Sequence, residues 1–210
     1  MLETVLPDHD QQLHELEALA PSGFFLGLGF KLGKPLVTIN RFPEAWVMRW
    51  ERDIFISHDP VGLWIVGQAK ENAARWSEIA TSIPDRFDVF EAARKYGLRY
   101  GASFVTKIGR RRSCLSAARP DREYSDSEMN LLAGKLNLLA HLYSQNSVEL
   151  TGKEIEALRQ MRVGHTHAEA GDALGISVSA LKLRLSSAQK KLGCRNVTAA
   201  VVRAVEGDLI

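Results

Sequence analysis

Residues 101–117 read GASFVTKIGRRRSCLSA, and this stretch decides the class of fold that the chain adopts. Phe104, Val105 and Thr106 are residue types that favour strands, and a second short run of small and apolar residues follows at 113–117. The segment between the two runs, IGRRR, contains a glycine and three arginines. The stretch therefore predicts a β-hairpin with a basic, solvated tip made by Arg110, Arg111 and Arg112.

The segments around this hairpin alternate between helical and extended patterns. Apolar residues recur at helical spacing in residues 10–20, 43–53, 85–96 and 125–143. Residues 35–39, PLVTI, form a further short apolar run that is typical of a strand. The alternation predicts an α/β domain in which a sheet is covered by helices, and the fold class that we expect is an α/β sandwich with an antiparallel sheet.

Composition limits the classes of protein to which the chain can belong. A chain of 210 residues with a formal net charge of +2 is long enough for one or two globular domains. No apolar run approaches the roughly 18 residues that cross a bilayer, and the first ten residues lack a signal-peptide pattern. Cys114 and Cys194 have no ligand spacing, so we expect reduced thiols, no metal site, no cofactor and a cytoplasmic location.

The sequence pattern changes to helix alone in the last third of the chain. A polar link at 144–149 separates the two patterns, so we predict domains at 1–145 and 150–210. The second domain is predicted to be all-α, with four short helices at residues 151–162, 166–174, 177–192 and 196–205.

Residues 166–192 have the layout of a helix-turn-helix motif. One helix ends before Gly175, Ser177 can cap the next helix, and Ser177–Arg195 holds five basic residues and no acidic one. A helix of this kind fits the major groove of double-stranded DNA, although a small helical bundle with an incidental basic face has the same pattern. The predicted DNA-facing residues are Thr166, Ser179, Lys182, Arg184, Ser186, Gln189 and Lys190.

The run over residues 150–204 resembles the LuxR-type helix-turn-helix domain along its whole length. The residues that carry the likeness are Leu150-Thr151, Glu154, Leu158, Gly164-His165-Thr166, Leu174-Gly175-Ile176-Ser177, Leu181-Lys182, Lys191-Leu192-Gly193 and Arg195-Asn196. The resemblance implies that Lys182 and Ser186 stand where the family contacts DNA. One departure is Glu169-Ala170-Gly171 in place of Glu-Ile-Ala, and a glycine inside a helix costs roughly 0.5–1 kcal/mol relative to alanine.

A second resemblance begins at residues 41–62, RFPEAWVMRWERDIFISHDPVG. LuxR-type quorum-sensing regulators bind acyl-homoserine lactones in a domain with the pattern Tyr-x3-Trp-x3-Tyr-x8-Asp-Pro, followed by a second Trp and by Gly-x3-Gly. The corresponding residues here are Phe42, Trp46, Trp50, Asp59-Pro60, Trp76 and Gly97 with Gly101. Phe42 and Trp50 depart from the pattern, because both replace a tyrosine and lose its hydroxyl.

The resemblance also implies roles for individual residues. Trp46 would donate to the lactone carbonyl, Asp59 would accept from the amide N–H, and Ser116 would lie near the amide carbonyl. On this basis Asp59→Asn is expected to weaken the response to ligand while leaving the fold intact. The predicted ligand-binding set is completed by Phe42, Trp50, Trp76 and Tyr100. The spacing of the aromatic residues equally allows a plain helical core.

These patterns and the resemblance to LuxR-type regulators together imply a cytoplasmic, homodimeric transcription regulator. Its partners would be an acyl-homoserine lactone and a two-fold-related DNA site, with no membrane involvement. One alternative is a ligand-independent regulator or antagonist that pairs with another LuxR-type regulator. An enzyme on an α/β scaffold is disfavoured, because no Ser/His/Asp or Cys/His set is arranged for catalysis.

Overall fold

The computed structural model describes residues 6, 9–31, 33–109, 111–147, 150–207 and 209–210. The chain divides into two compact units. We call Leu2–Asn146 the N-terminal unit and Ser147–Ile210 the C-terminal unit.

A five-stranded antiparallel sheet organises the N-terminal unit. Its strands run in the order β2-β1-β5-β4-β3 across the sheet, so the β4–β5 hairpin occupies the middle. The strands are β1 (Phe24–Leu28), β2 (Val37–Asn40), β3 (Asn72–Arg75), β4 (Tyr100–Ile108) and β5 (Arg111–Arg119). The predicted sheet and its hairpin are therefore confirmed.

Helices lie on both faces of this sheet. In the N-terminal unit they are α1 (His9–Leu19), α2 (Glu44–Arg52), α3 (Pro60–Gly67), α4 (Trp76–Ser82), α5 (Val89–Arg94) and α6 (Asp126–Asn146), with a 3-10 turn at Phe55–Ser57. The sequence did not predict α3, α4, β1 or β3. Helix α3 is apolar all round, and such a helix lacks the 3.6-residue periodicity by which a surface helix is recognised.

The pleat of the central strands separates two hydrophobic cores. Leu115 and Ala117 on β5 belong to the core that packs under α1 and α6. Cys114 belongs to the opposite core, together with residues of α2 to α5. Because side chains along a strand alternate between the two faces, one strand serves both cores. The second core contains the cavity described below.

The turn of the central hairpin is shorter than the sequence indicated. Strand pairing continues up to Ile108 and Arg111, and Gly109 follows Ile108 in a left-handed conformation. The prediction of a solvated arginine tip is wrong for Arg112, which donates hydrogen bonds to the carbonyls of Val66 and Gln68 at the end of α3. Arg110 lies outside the described residues. A cation at the carboxyl end of a helix is favourable, so the hairpin holds α3 in place.

The C-terminal unit consists of short helices in the part of the chain that is described. They are α7 (Gly152–Arg162), α8 (His167–Leu174), α9 (Val178–Leu192) and α10 (Val197–Glu206). Thr151 and Glu154 form the predicted capping box of α7, and the Ser177 hydroxyl accepts from the N–H of Ala180 at the start of α9. Gly175 ends α8 in a left-handed conformation.

Gly171 has a structural reason to be a glycine. It is buried inside α8, and a Cβ at this position would lie 2.9 Å from the carbonyl oxygen of Ile176. The backbone of the following turn therefore approaches α8 closely, and the N–H of Ile176 donates to the carbonyl of Gly171 at 3.0 Å. Glycine therefore lowers the helix propensity of α8, but it also allows this close approach, which a larger residue would disturb.

Candidate ligand pocket and exposed helix face

The N-terminal unit contains a cavity of about 340 Å³ on the face of the sheet that carries α2 to α5. Apolar and aromatic side chains form most of its wall. The lining residues are Phe25, Phe30, Pro35, Asn40, Phe42, Trp46, Val47, Trp50, Asp59, Val61, Gly62, Leu63, Ile65, Val66, Trp76, Val89, Phe90, Ala93, Cys114 and Ser116. Asp59 is the one ionisable carboxyl among them, and no lysine or arginine contributes to this lining.

Asp59 holds together two helices of the cavity wall. Its Oδ1 accepts a hydrogen bond from the N–H of Val61 at 2.9 Å and so caps α3. Its Oδ2 accepts a hydrogen bond from the indole N–H of Trp50, on α2, at 3.1 Å. Burial raises the pKa of Asp59 above its ordinary value, although these two donors act in the opposite direction.

A strained turn returns the chain from Trp50 to Asp59. Ile54 lies between α2 and the 3-10 turn and has φ 52° and ψ 39°, in the left-handed region. A β-branched residue in this region is costly, so the surrounding contacts must hold it there. The N–H of Asp59 then donates to the carbonyl of Phe55 at 2.7 Å. This turn sets the position of the carboxylate against the indole.

Trp46 presents a different situation one helical turn before Trp50. Trp46 is 7% exposed and packs against the rings of Phe55 and Tyr96, with ring centroids 6.0 and 5.8 Å away. No described residue accepts a hydrogen bond from its indole N–H, and the nitrogen is not among the fully buried unpaired atoms. Trp46 therefore offers a free donor at the cavity wall.

A chain of three hydrogen-bonded side chains reaches the cavity from the sheet. The indole N–H of Trp76 donates to Ser103 Oγ at 3.1 Å, and Ser103 Oγ lies 2.9 Å from Ser116 Oγ. Gly101 allows this arrangement, because a Cβ there would collide with the Trp76 ring. Because Ser103 accepts from Trp76, its own proton can go to Ser116, which leaves the Ser116 proton free to point into the cavity.

The structure brings most, though not all, of the predicted ligand residues together. Phe42, Trp46, Trp50, Asp59, Trp76 and Ser116 line the cavity. Tyr100 does not line it, and Arg99 stacks over its ring at 5.4 Å, so its predicted role has no support from the geometry.

Two polar members of the wall, Asn40 and Cys114, were not among the residues predicted from the sequence. Burial raises the pKa of the Cys114 thiol to about 12, which keeps it neutral and unreactive near neutral pH. The alternation along β5 could have identified Cys114, because it lies two residues before Ser116 on the same face.

The predicted DNA-facing residues of the C-terminal unit differ in their accessibility. Thr166, Ser179, Lys182, Ser186 and Lys190 are exposed. Gln189 is half-buried. The Arg184 guanidinium lies 3.9 Å from the Glu156 carboxylate on α7, so Arg184 already has an ion-pair partner inside the unit. The Thr166 hydroxyl also serves as the cap of α8. Four of the exposed residues therefore remain together on α9, and we call Ser179, Lys182, Ser186 and Lys190 the exposed face of α9.

Leu183 also belongs to the outer surface of α9, although it was not among the residues predicted from the sequence. Leu183 is 74% exposed beside Lys182, whereas Leu181 and Leu185 are buried. Helical spacing separates 183 from the buried positions, so the pattern did contain this signal.

Buried Glu154 fixes the other side of α9. Its Oε1 accepts from the Ser187 hydroxyl at 2.7 Å, and its Oε2 accepts from the Lys191 ammonium at 2.8 Å. Burial opposes these bonds, but the net effect is to lower the pKa of Glu154 to about 2. Glu154 is therefore charged near neutral pH and clamps α7 to α9, which gives the exposed face of α9 a rigid support.

Two other kinds of site receive no support from the described residues. They contain no cluster of three or more His, Cys, Asp or Glu side chains that could hold a metal ion. No helix in the described part of the chain is both long and apolar enough to cross a membrane.

An apolar cavity with a few convergent polar groups is the usual form of a small-molecule binding site. The family described as "Autoinducer binding domain" matches residues 28–146, which is more than half of the chain. The chain therefore belongs to the autoinducer-binding-domain family of LuxR-type regulators.

Named relatives agree with this assignment. Transcriptional activator protein AnoR of Acinetobacter nosocomialis is 26% identical over 184 residues, which cover 80% of this chain and 76% of that protein. Transcriptional activator protein VanR of Vibrio anguillarum is 27% identical, with 97% of this chain and 91% of that protein covered. These relatives are transcription regulators and not enzymes.

The fold also has a solved counterpart. The crystal structure of SdiA from Escherichia coli matches with a TM-score of 0.52 at 23% identity, covering 100% of this chain and 95% of that chain. At this identity the likeness concerns the fold alone.

Proposed function

We propose that this chain is a quorum-sensing transcription regulator that binds an acyl-homoserine lactone in the N-terminal unit and double-stranded DNA through the C-terminal unit. The observation that carries the ligand proposal is the cavity of about 340 Å³, with a free indole donor and a carboxylate in an apolar wall. Its volume is toward the small end of the roughly 300–1,000 Å³ that is usual for ligand pockets.

The chemistry of the wall matches the groups of such a ligand. Trp46 can donate to the lactone carbonyl, the free lone pairs of Asp59 can accept from the amide N–H, and Ser116 can donate to the amide carbonyl. The apolar wall suits an acyl chain. Because the lining holds a carboxyl and no basic side chain, a neutral ligand is favoured over a fatty acid or another anion.

The exposed face of α9 supports the DNA proposal. Lys182 and Lys190 can reach phosphates, and Ser179 and Ser186 can bond to phosphates or base edges. Leu183 adds an apolar group of the kind that contacts thymine methyl groups. We propose that two copies bind a two-fold-related site as a homodimer, in which each copy contributes one α9.

A ligand that fills the cavity adds apolar contacts to the core of the N-terminal unit. It therefore stabilises the folded unit by mass action, and folded protein is what dimerises and binds DNA.

Trp46→Phe tests the ligand proposal. The substitution removes an N–H that no described residue uses, so the ligand-free protein should keep its fold. Loss of one hydrogen bond should weaken binding of N-octanoyl-homoserine lactone about tenfold. Titration calorimetry on the full chain measures this change, and the control is Trp64→Phe, which changes a buried tryptophan outside the lining. Equal affinities for Trp46→Phe and wild type would show that the cavity is not a lactone site.

Lys182→Ala tests the DNA proposal. Removal of one phosphate contact should weaken binding to all operator sequences and reduce the dependence of affinity on salt by about one counterion. Gel shifts at several salt concentrations measure both quantities. Lys153→Ala removes the same charge from the start of α7 and should leave the salt dependence unchanged. If both variants behave alike, the exposed face of α9 is not the DNA contact.

A second candidate function has one observation in its favour. The Asp59 carboxylate already accepts two hydrogen bonds from the protein, so it does not need a ligand to supply its donors. This favours a ligand-independent regulator that pairs with another LuxR-type regulator. Such a protein would give the same gel shift with and without the lactone, whereas a sensor would require the lactone for tight binding.

A further inference from the structure

The hydrogen bond from Trp50 to Asp59 bears on which ligands the cavity accepts. A buried carboxylate needs donors, because an unsatisfied charged acceptor is costly in an apolar surrounding. In the described structure Oδ1 receives the N–H of Val61 at 2.9 Å and Oδ2 receives the indole N–H of Trp50 at 3.1 Å. Each oxygen of Asp59 therefore has a donor before any ligand enters.

The position of Trp50 makes it a fixed partner and not an incidental one. The indole is half-buried in the same core as Trp46 and Trp76, and the Ile54 turn returns Asp59 to it from nine residues along the chain. The bond also commits the only N–H of the indole. Trp50 consequently has no donor left for a ligand carbonyl, and neighbouring Phe42 has none by its chemistry.

A ligand N–H contributes less binding free energy at a carboxylate that already accepts hydrogen bonds from the protein. An oxygen whose charge is partly compensated by one donor gains less from a second donor than a bare oxygen would gain from its first. This effect at Asp59 does not change the other ligand contacts, which are the apolar wall, the Trp46 donor and the Ser116 hydroxyl. The remaining contacts of the cavity recognise an acyl chain and carbonyl groups, which amides and esters share.

We propose that Trp50 is a specificity-determining residue, whose indole N–H already compensates Asp59, so that a ligand N–H gains little there and the cavity binds neutral acyl esters nearly as well as acyl amides. This inference rests on the proposed function, because it concerns the same cavity. It widens the ligand class from acyl-homoserine lactones to acylated lactones and related neutral esters.

Two matched ligands test the proposal. One is N-octanoyl-homoserine lactone, and the other is its ester analogue, in which an oxygen atom replaces the amide N–H. Titration calorimetry on the full chain gives the ratio of the two dissociation constants, ester over amide. We expect a ratio within about threefold of unity for the wild type, and a ratio about tenfold larger for Trp50→Phe, because Asp59 then takes its second donor from the amide.

Two further variants complete the design. Trp64→Phe is the matched control, since Trp64 is a buried tryptophan of the same core that does not line the cavity, and its ratio should equal that of the wild type. If Trp50→Phe does not fold, Asp59→Asn tests the same proposal through the same two dissociation constants. We expect it to weaken amide and ester binding by nearly the same factor, whereas a ligand N–H that gains a full hydrogen bond from Asp59 would make the loss about tenfold greater for the amide.

The outcomes separate this proposal from the proposed function. A wild-type ratio of ten or more with tight amide binding overturns the role of Trp50 and leaves the lactone pocket intact. If folded Trp50→Phe has the same ratio of dissociation constants as the wild type, Trp50 does not determine specificity, and the lactone pocket is again unaffected. If neither ligand binds the wild type or Trp50→Phe, both proposals are wrong.

Discussion

At the scale of single residues, Asp59 connects the ligand question to stability. The resemblance to lactone receptors predicted that Asp59→Asn would leave the fold intact. In the structure, however, both oxygens accept hydrogen bonds, from Val61 on one side and Trp50 on the other. An asparagine has a single oxygen and would place its NH2 group against one of these donors. The substitution therefore has a structural cost as well as a functional one.

We accordingly predict that Asp59→Asn lowers the free energy of unfolding of the ligand-free protein by about 1–2 kcal/mol. Urea denaturation monitored by tryptophan fluorescence measures this change. Asp88→Asn is the control, because Asp88 is exposed at the start of α5 and makes no side-chain cap bond, so its substitution should be neutral. Equal stabilities of Asp59→Asn and wild type would mean that the two bonds do not contribute in solution.

Residues of one spaced motif also have different roles in the structure. Spacing placed Trp46, Trp50 and Asp59 in one motif, but it did not distinguish their roles. The structure leaves the Trp46 donor free and commits the Trp50 donor to Asp59, although the two residues are four positions apart on the same helix. Which indole is free depends on the path of the chain between Trp50 and Asp59, which are nine positions apart, and on the strained Ile54 within it.

At the scale of elements, two glycines inside helices illustrate how packing overrides propensity. Gly134 lies in α6, and a Cβ there would meet nothing within 4 Å. Gly171 lies in α8, where a Cβ would press against the backbone of the next turn. Helix propensity alone predicts that alanine stabilises both positions by about 0.5–1 kcal/mol.

We predict opposite signs for the two substitutions. Gly134→Ala should raise the free energy of unfolding by about 0.5–1 kcal/mol, and Gly171→Ala should lower it by about 1 kcal/mol or more, because backbone must move. Thermal unfolding of the full chain, followed by circular dichroism, compares the two. A stabilised Gly171→Ala variant would contradict the close approach seen between α8 and its turn.

Elements also differ in how well the sequence predicted them. Helices α1, α2 and α6 have an apolar stripe, and the central hairpin has strand-forming residues around a glycine, so local patterns were sufficient. Helix α3 was missed because it is apolar on every side, and β3 was missed because its residues, NAAR, have no strand preference. These two elements exist because the sheet edge and the cavity wall stabilise them.

At the scale of the whole molecule, the cavity belongs entirely to one of the two units. All of its lining residues lie between Phe25 and Ser116, within the N-terminal unit. A ligand should therefore stabilise that unit directly and leave the intrinsic stability of the C-terminal unit unchanged.

We predict two thermal transitions for the full chain, of which N-octanoyl-homoserine lactone shifts one. At a free concentration of 100 times its dissociation constant, a ligand adds about 2.7 kcal/mol, which corresponds to roughly 5–10 °C for a unit of this size. Differential scanning calorimetry measures both transitions, and octanoic acid serves as the control ligand, since the cavity lining lacks a cation. An equal shift of both transitions would contradict the assignment of the ligand to one unit.

The sequence by itself determined the features that depend on neighbours along the chain. These are the capping residues, the helical and strand periodicities, and the two spaced motifs, at residues 41–62 and 150–204, that indicated the family. The tertiary structure alone decided that Arg112 caps α3, that Asp59 bonds to Trp50, that Tyr100 lies away from the cavity and that Glu154 supports α9. The physical reason is that local patterns reflect propensities within a few residues, whereas the partner of a buried donor or acceptor is chosen by the packing of distant segments.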